Sequence, residues 1–331
     1  MATFSARFLG CKVSFADAQA IRERLLADGH TELSEGADVA VVNTCCVTHE
    51  AVSKSRQALS RAARTHGRVY ATGCGANLRG AFAGLPDNVI VVARASEDAP
   101  DAVAGDVGAI GCVQAEHRLD RIRAFVKIQD GCSFACRFCV IPQVRGGTRS
   151  RRAAAVLDEA ARRAAQGHRE VVLTGVNLGC FRDRESGYRL ARLVREVGAI
   201  PGLRRLRLSS IEVNHVDAEL VAALRETPTV ARHLHVPLQS GDDGVLRAMG
   251  RRYSVAGFLR KLEPLHDFNL TTDVIVGFPG ESDAAFDRTL HALRAARITK
   301  VHVFPYSPRP GTGTQALDSV PRPGGARSAP A

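Results

Sequence analysis

Apolar and polar positions follow two rhythms along this chain. Up to about residue 115, short apolar runs alternate with segments of helical periodicity. The run "DVAVVNTC" (38–45) is continuously apolar, as in a strand covered on both faces. A helical pattern follows over 49–64. Ala51, Ser55, Ala58 and Ala62 line one narrow face of small residues there, with Lys54, Arg61 and Arg64 elsewhere. "RVYATGC" (68–74) is another short strand running into glycines. The pattern predicts a small α/β layer domain over 1–115.

Residues 94–112 are poor in large apolar side chains and read as a linker or surface excursion. A second rhythm then begins. Strand candidates recur at 122–129, 170–175, 204–210, 232–237, 270–276 and 300–306, with amphipathic helical segments between them, such as 152–166 and 217–226. Repeated strand–helix units imply a parallel sheet, and about six of them predict an open or partial barrel over 118–317. The stretch "DSVPRPGGARSAPA" (318–331) reads as a disordered tail. No apolar run approaches the roughly 20 residues that span a bilayer. The first residues lack a basic leader followed by an apolar block. The expectation is a soluble cytoplasmic protein with no membrane partner.

Charge and composition narrow the function. Lys and Arg number 45 against 34 Asp and Glu, a formal net charge of +11. That excess suits a polyanionic partner such as nucleic acid, and equally an arginine-rich, highly soluble protein. With no Trp and 5% aromatic residues, a broad stacking platform for single strands is not expected. The nine cysteines form an odd set, which points to metal or redox chemistry rather than a disulfide framework.

In such barrels the chemistry sits at the carboxyl ends of the strands. Those ends are Asp130-Gly131-Cys132, Thr174-Gly175-Val176-Asn177, Ser209-Ser210-Ile211-Glu212, Pro237 to Gly241, Gly277 to Gly280 and Pro305-Tyr306-Ser307. One stands out: "DGCSFACRFCVIP" (130–142) carries Cys132, Cys136 and Cys139 at C-x3-C-x2-C spacing. A zinc site normally shows two pairs of ligands, yet the next cysteine is Cys180 and the loop has no histidine. A redox pair formed by Cys136 and Cys139 leaves Cys132 idle. A cubic iron–sulfur cluster on three thiolates accounts for all three and leaves one iron open to an outside ligand.

This loop, with Phe138 before the last cysteine, resembles the radical S-adenosylmethionine superfamily. The resemblance implies that the open iron is chelated by S-adenosylmethionine, whose reductive cleavage gives a 5′-deoxyadenosyl radical. It further implies that Thr174, Gly175 and Asn177 meet the methionine end. Ser210 and Glu212 would meet polar groups of the ligand, and Gln239, Val276 and Gly277 would line the ribose and adenine.

Three further cysteines, Cys11, Cys45 and Cys74, each follow a strand-like segment of the first domain. In a parallel sheet such loops emerge at one edge, so distant thiols converge. The stretches "NTC", "TGC", "IQDGC", "RSR", "LTGVNLG", "HVPLQSGDD", "TTDVIVGFPGE" and "VFPYSPRPGT" resemble the methylthiotransferases. "NTCCVTHEAVSKSRQA" is most similar to the branch acting on threonylcarbamoyladenosine in tRNA. The resemblance implies two [4Fe-4S] clusters, the auxiliary one on Cys11, Cys45 and Cys74. Cys46 then stands where Ser or Thr is common. The resemblance implies as well that one S-adenosylmethionine methylates a sulfur on the auxiliary cluster, and that another provides the radical that takes a hydrogen from C2 of adenine at position 37. The implied partners are tRNA and a reductant protein such as a flavodoxin or ferredoxin.

The chain departs from that pattern in places. It leaves the family pattern after Thr314, so the family's C-terminal RNA-gripping β-barrel is expected to be lacking. Ser14 replaces a common Asn, Gln143 a Tyr and Val213 a Pro. Two basic groups, Arg145, Arg149, Arg151 and Arg152, and Arg247, Arg251 and Arg252, are expected near the catalytic face as phosphate contacts. Cys112 and Cys180 read as structural bystanders. Alternatives are a methylthiotransferase for isopentenyladenosine or for a ribosomal-protein aspartate, and a non-catalytic metal-binding protein that binds RNA.

Overall fold

The structure, a computed structural model, describes residues 2–93, 97–108 and 122–317. The first unit contains β1 (Thr3–Phe8), α1 (Lys12–Ala27), β2 (Thr31–Glu32), β3 (Val39–Thr44), α2 (His49–Ala63), β4 (Arg68–Gly73), β5 (Val89–Val91) and α3 (Ala99–Val107). Its five strands form one parallel sheet in the order β2-β1-β3-β4-β5. The apolar run of β3 is buried throughout because each face has a cover. Val39 and Val41 meet Ile21 and Leu25 of α1, while Ala40 and Val42 meet Leu59 of α2. The small-residue face expected on α2 is therefore anchored by a leucine. Thr48 caps that helix by accepting from the Ala51 N–H at 3.1 Å.

Part of the expected linker is a helix. In α3 the buried residues are Ala99, Val103 and Ala104, which pack with α1. Small side chains suffice there because they dock onto an existing apolar face. Residues 94–96, 109–121 (with Cys112) and 318–331 lie outside the described residues, so those expectations are not addressed.

The second unit contains β6 (Arg123–Asp130), α4 (Ile141–Arg145), β7 (Arg149–Ser150), α5 (Ala153–Ala165), β8 (Glu170–Gly175), α6 (Leu190–Gly198), β9 (Arg205–Leu208), α7 (Ala218–Glu226), β10 (His233–His235), α8 (Asp243–Ala248), α9 (Val255–Leu262), β11 (Asn269–Val276), α10 (Asp283–Ala295) and β12 (Lys300–Pro305). The six expected strands are β6, β8, β9, β10, β11 and β12, all parallel. Single bridges, Leu206 to Val230 and Ser210 to His235, join the β9 side to the β10 side. β7 adds an antiparallel edge. The outer face of the strands forms the main core, with Val126, Ile128, Val171, Leu173 and Leu206 packed against α5 and α6. The inner face carries charge: Glu170 pairs with Arg123 at 2.7 Å and with Arg207 at 2.9 Å.

The two units pack directly. α1 lies against β6 and β8, and Phe15 meets the ring edges of Phe8 and Phe125 at centroid distances of 4.9 and 5.0 Å. The segment after β12 returns to the first unit, where Arg309 Nη1 donates to the Cys46 carbonyl at 3.1 Å.

Candidate active site

The three-cysteine loop starts where β6 ends, and its shape is held by hydrogen bonds. The Cys132 N–H donates to Gly146 O at 3.0 Å, and Ser133 and Thr148 exchange N–H to Oγ bonds at 3.1 and 3.0 Å. Gln129, fully buried, donates to the carbonyls of Asp130 and Gly131 at 2.6 Å each and accepts from the Asn177 N–H at 2.7 Å. One side chain thus ties the cysteine loop to the next strand end. Gly131 has φ of +66°, and a Cβ there would collide with the carbonyls of Gly146 and Gly147. Gly131→Ala is expected to cost about 1–3 kcal/mol from backbone strain alone, and more from the collision. Urea unfolding and iron content together check this: both fall if the turn positions the thiols.

Cys132, Cys136 and Cys139 sit near enough to interact electrostatically, and burial pushes the Cys139 thiol up to about 12. Donors point at their sulfurs. The Phe134 N–H lies 3.5 Å from Cys132 Sγ, and Asn177 Nδ2 lies 3.9 Å from it. Arg251 Nη1 lies 3.4 Å from Cys136 Sγ, while Nη2 reaches Glu212 Oε1 at 3.4 Å. These donors are aimed at the sulfurs of Cys132 and Cys136, as around metal-bound sulfur.

The neighbouring strand ends carry unsatisfied polar atoms. Thr174 Oγ1, Asn177 Oδ1 and Ser209 Oγ are buried without a hydrogen-bond partner among the described residues. Buried polar groups are normally paired, so these three fit a polar ligand lying across the strand ends. Gly175 allows close passage: a Cβ there would press on Gln129 Oε1 at 3.0 Å. Ser210 is half-exposed beside Ser209. Glu212 is turned to local work, accepting from the Asn214 N–H at 2.9 Å and from Arg251. Gln239 has φ of +69°, strained for a side-chain-bearing residue, and its backbone is clamped by Asp273 O and the Ile275 N–H at 2.9 Å each. Gly277, next to Val276, turns with φ of +72°, and its N–H donates to Glu281 Oε2 at 2.6 Å. Phe138 packs edge-on to Phe278, 6.5 Å between centroids.

The second thiol set converges at the carboxyl edge of the first sheet. Cys11 follows β1, Cys45 follows β3 and Cys74 follows β4, three adjacent strands around the point where strand order reverses. The thiols of Cys11 and Cys45 both feel the charge of Cys74. Gly10, with φ of +126°, brings the Cys11 loop against Cys45, whose Sγ stands 3.4 Å from where a Cβ would lie. A fourth thiol, Cys46, hydrogen-bonds Cys74 and packs with Val140 and Val144. That bond, together with the positive charge of Arg145, lowers the Cys74 thiol to about 7 against the opposing effect of burial. Arg309 Nη2 is buried beside the Cys45-Cys46 turn without a partner among the described residues, a spare donor fitting an anionic cluster.

Arg145 corrects one expectation. It is buried and faces no phosphate: Nε reaches Cys74 Sγ at 2.9 Å, Nη1 holds both oxygens of Asp130 at 3.0 and 3.1 Å, and Nη2 holds Asp17 at 2.7 Å. Arg251 is likewise turned inward, 8% exposed in its side chain. Of the remaining basic residues, Arg152, Arg247 and Arg252 are exposed, with Arg152 paired to Glu185 at 2.8 Å, and Arg151 is tied to Glu159 at 2.6 Å. Gln129, Asp17 and Arg309 were given no role from the sequence, although Gln129 and Asp130 lie in the motif "IQDGC" and Arg309 in "VFPYSPRPGT". Cys180 lies 3.3 Å from His215 Nε2, whose ring stacks on Phe134 within the same loop system.

The sequence profile of the Radical SAM superfamily matches residues 126–293, and that of an uncharacterized family, UPF0004, matches residues 3–92. The threonylcarbamoyladenosine tRNA methylthiotransferase MtaB of Thermotoga maritima is 35% identical, covering 96% of this chain and 78% of the relative. Its counterpart in Bacillus subtilis is also 35% identical, over 96% and 76%. A tRNA-2-methylthio-N(6)-dimethylallyladenosine synthase of Bifidobacterium longum is 34% identical, over 96% and 72%. Among solved structures, the radical S-adenosylmethionine methyltransferase TsrM of Kitasatospora setae, with cobalamin and a [4Fe-4S] cluster, superposes with a TM-score of 0.68. At 16% identity, over 95% of this chain and 77% of that one, it shows a shared fold. No helix among the described residues is long and apolar enough to cross a membrane. Two profiles that divide the chain as the fold does, and relatives that align along nearly all of it, lead to one conclusion: this chain belongs to the radical S-adenosylmethionine methylthiotransferases, transferases that use S-adenosylmethionine and two [4Fe-4S] clusters.

Proposed function

We propose that this chain adds a methylthio group to C2 of N6-threonylcarbamoyladenosine at position 37 of tRNA. The observation that carries the reading is the pair of thiol trios at two carboxyl sheet edges, bridged by Arg145, which touches both sides. Cys132, Cys136 and Cys139 hold the radical cluster within a domain over 118–317. Cys11, Cys45 and Cys74 hold the auxiliary cluster within a domain over 1–115. When bound, these groups and S-adenosylmethionine supply the electron, the adenosyl radical, the methyl group and the sulfur.

The chain's own residues position and enclose. Thr174, Gly175 and Asn177 receive the methionine end, and Ser210 with Ser209 offers hydroxyls beside it. Gln239, Val276 and Gly277 shape the nucleoside region, with Phe138 as an apolar wall. Glu212 orients Arg251, whose charge faces the cluster thiolates. Val140 and Val144 keep the Cys46–Cys74 side dry. Holding reactants within contact distance is the protein's main contribution to such a reaction. Exposed Arg247 and Arg252 offer phosphate contacts, and the protein works in the cytoplasm with a low-potential flavodoxin or ferredoxin as donor.

Mass spectrometry of tRNA nucleosides from cells with and without the gene tests the substrate. Loss of the 2-methylthio form of threonylcarbamoyladenosine alone supports the reading. Loss of the methylthio isopentenyl nucleoside instead assigns the chain to the other branch, and unchanged tRNA overturns both. At the protein level, Cys11→Ala with Cys45→Ala and Cys74→Ala is expected to remove about four of roughly eight irons. Release of 5′-deoxyadenosine should survive while methylthio insertion falls to background. Iron that stays at the wild-type value overturns the auxiliary assignment.

A further inference from the structure

We propose that His235, Asp273 and His302 form a binding site for a divalent transition-metal ion, distinct from both thiol trios. These residues stand on the adjacent strands β10, β11 and β12, in a register that sets Asp273 beside His302. Asp273 Oδ1 lies 3.2 Å from His235 Nε2 and 3.2 Å from His302 Nδ1. One donor atom from each residue falls within 4.8 Å of the others. Two donors, each about 2.0–2.2 Å from a common ion, stand about 3.0–3.5 Å apart in tetrahedral or octahedral geometry. Both separations from Asp273 fall in that range before any ion is considered.

The surroundings resemble those of built metal sites. The second ring nitrogen of His235, Nδ1, hydrogen-bonds Thr271 Oγ1 at 2.9 Å, leaving Nε2 for the ion. Such outer partners fix the ring of a ligating histidine. Thr271 is itself within 3.4 Å of His233 Nε2. The rings of His235 and His302 lie 5.4 Å apart and tilted, not stacked flat. Two imidazoles and one carboxylate, with no thiolate, select zinc, manganese or iron(II) over softer metals and leave positions for water or an anionic oxygen.

Opposing charge comes from Lys12 of the first unit and Arg207 of β9, which interact across the same lumen. Glu170 is shared by Arg207 at 2.9 Å, Arg123 at 2.7 Å and Arg205 at 3.5 Å, and Lys12 acts electrostatically on Asp273 itself. Without an ion, the three residues make a His–Asp–His hydrogen-bonded chain. With one, the ion clamps the last three strands just below the loops that carry Gln239, Val276 and Gly277. The inference is independent of which adenosine the enzyme modifies.

The test uses anaerobically reconstituted holoprotein, so that the cysteines are occupied by clusters. After dialysis against micromolar zinc chloride, elemental analysis is expected to find about one zinc per chain beside the full iron complement. Zinc-edge X-ray absorption should show a nitrogen and oxygen shell at about 2.0–2.2 Å with no sulfur near 2.3 Å. His302→Ala, at a side chain 45% exposed, removes a ligand without opening the core. That variant and Asp273→Asn should each lose at least about ten-fold in zinc affinity with iron unchanged. Thr271→Val should lose about 10–100-fold, and His302→Asp should retain binding. Zinc content equal in wild type and in His302→Ala overturns the proposal, as does a shell containing sulfur.

Discussion

With Cys132, Cys136 and Cys139 all replaced by alanine, 5′-deoxyadenosine release is expected to fall to the rate without enzyme. The protein keeps about four of its roughly eight irons. The expectation follows from how the loop is built. Gln129, Gly131 and the Ser133–Thr148 pair hold its backbone independently of the thiols. The variant therefore folds, and the loss reports on ligation. Asn177 Nδ2 and Arg251 Nη1 lose their sulfur acceptors, yet Arg251 keeps Glu212 and the ring of Tyr253 at 4.9 Å. Anaerobic iron determination and chromatography of the cleavage products check the result. Full iron, or zinc at this loop in oxygen-protected protein, contradicts the assignment.

The second large effect is on stability. Arg145→Leu is expected to destabilise the protein by about 3–5 kcal/mol, because it leaves buried carboxylates short of a counter-charge. Asp17 and Asp130 are 2% and 5% exposed, and Lys127 is the other cation touching both. One ammonium cannot replace the five-donor fork that holds both oxygens of Asp130, Asp17 and Cys74 at once. Arg145→Lys should therefore recover only part of the loss. Asp17 belongs to α1 and Asp130 ends β6, so the same variant loosens the contact between the units. Denaturant unfolding of both variants gives the free energies. A cost under about 1 kcal/mol, the range of an exposed ion pair, would mean that water reaches this cluster freely.

Much of the fold was legible in the residues. The runs of β3, β4, β6 and β8 are apolar enough to be strands in any context, since each is covered on at least one face. Cys132, Cys136 and Cys139 were legible as one group because eight residues of chain carry all three into one loop. The helix α3 was missed because its buried side chains are mostly small, and only the face of α1 makes them core. Arg145 and Arg251 read as surface cations for a similar reason: a charge earns burial from partners that spacing along the chain does not reveal.

By itself, then, the sequence determined most element types, the two-part organisation and the grouping of Cys132, Cys136 and Cys139 in one loop, which depend largely on neighbours close along the chain. Tertiary structure alone decided that β1, β3 and β4 lie side by side and so gather Cys11, Cys45 and Cys74 at one edge. It also decided that Arg145 finds Asp17 across 128 positions, and that His235, Asp273 and His302 meet on three strands. Strand order and long-range pairing are set by how faces pack in three dimensions, and no local pattern of residues encodes that order directly.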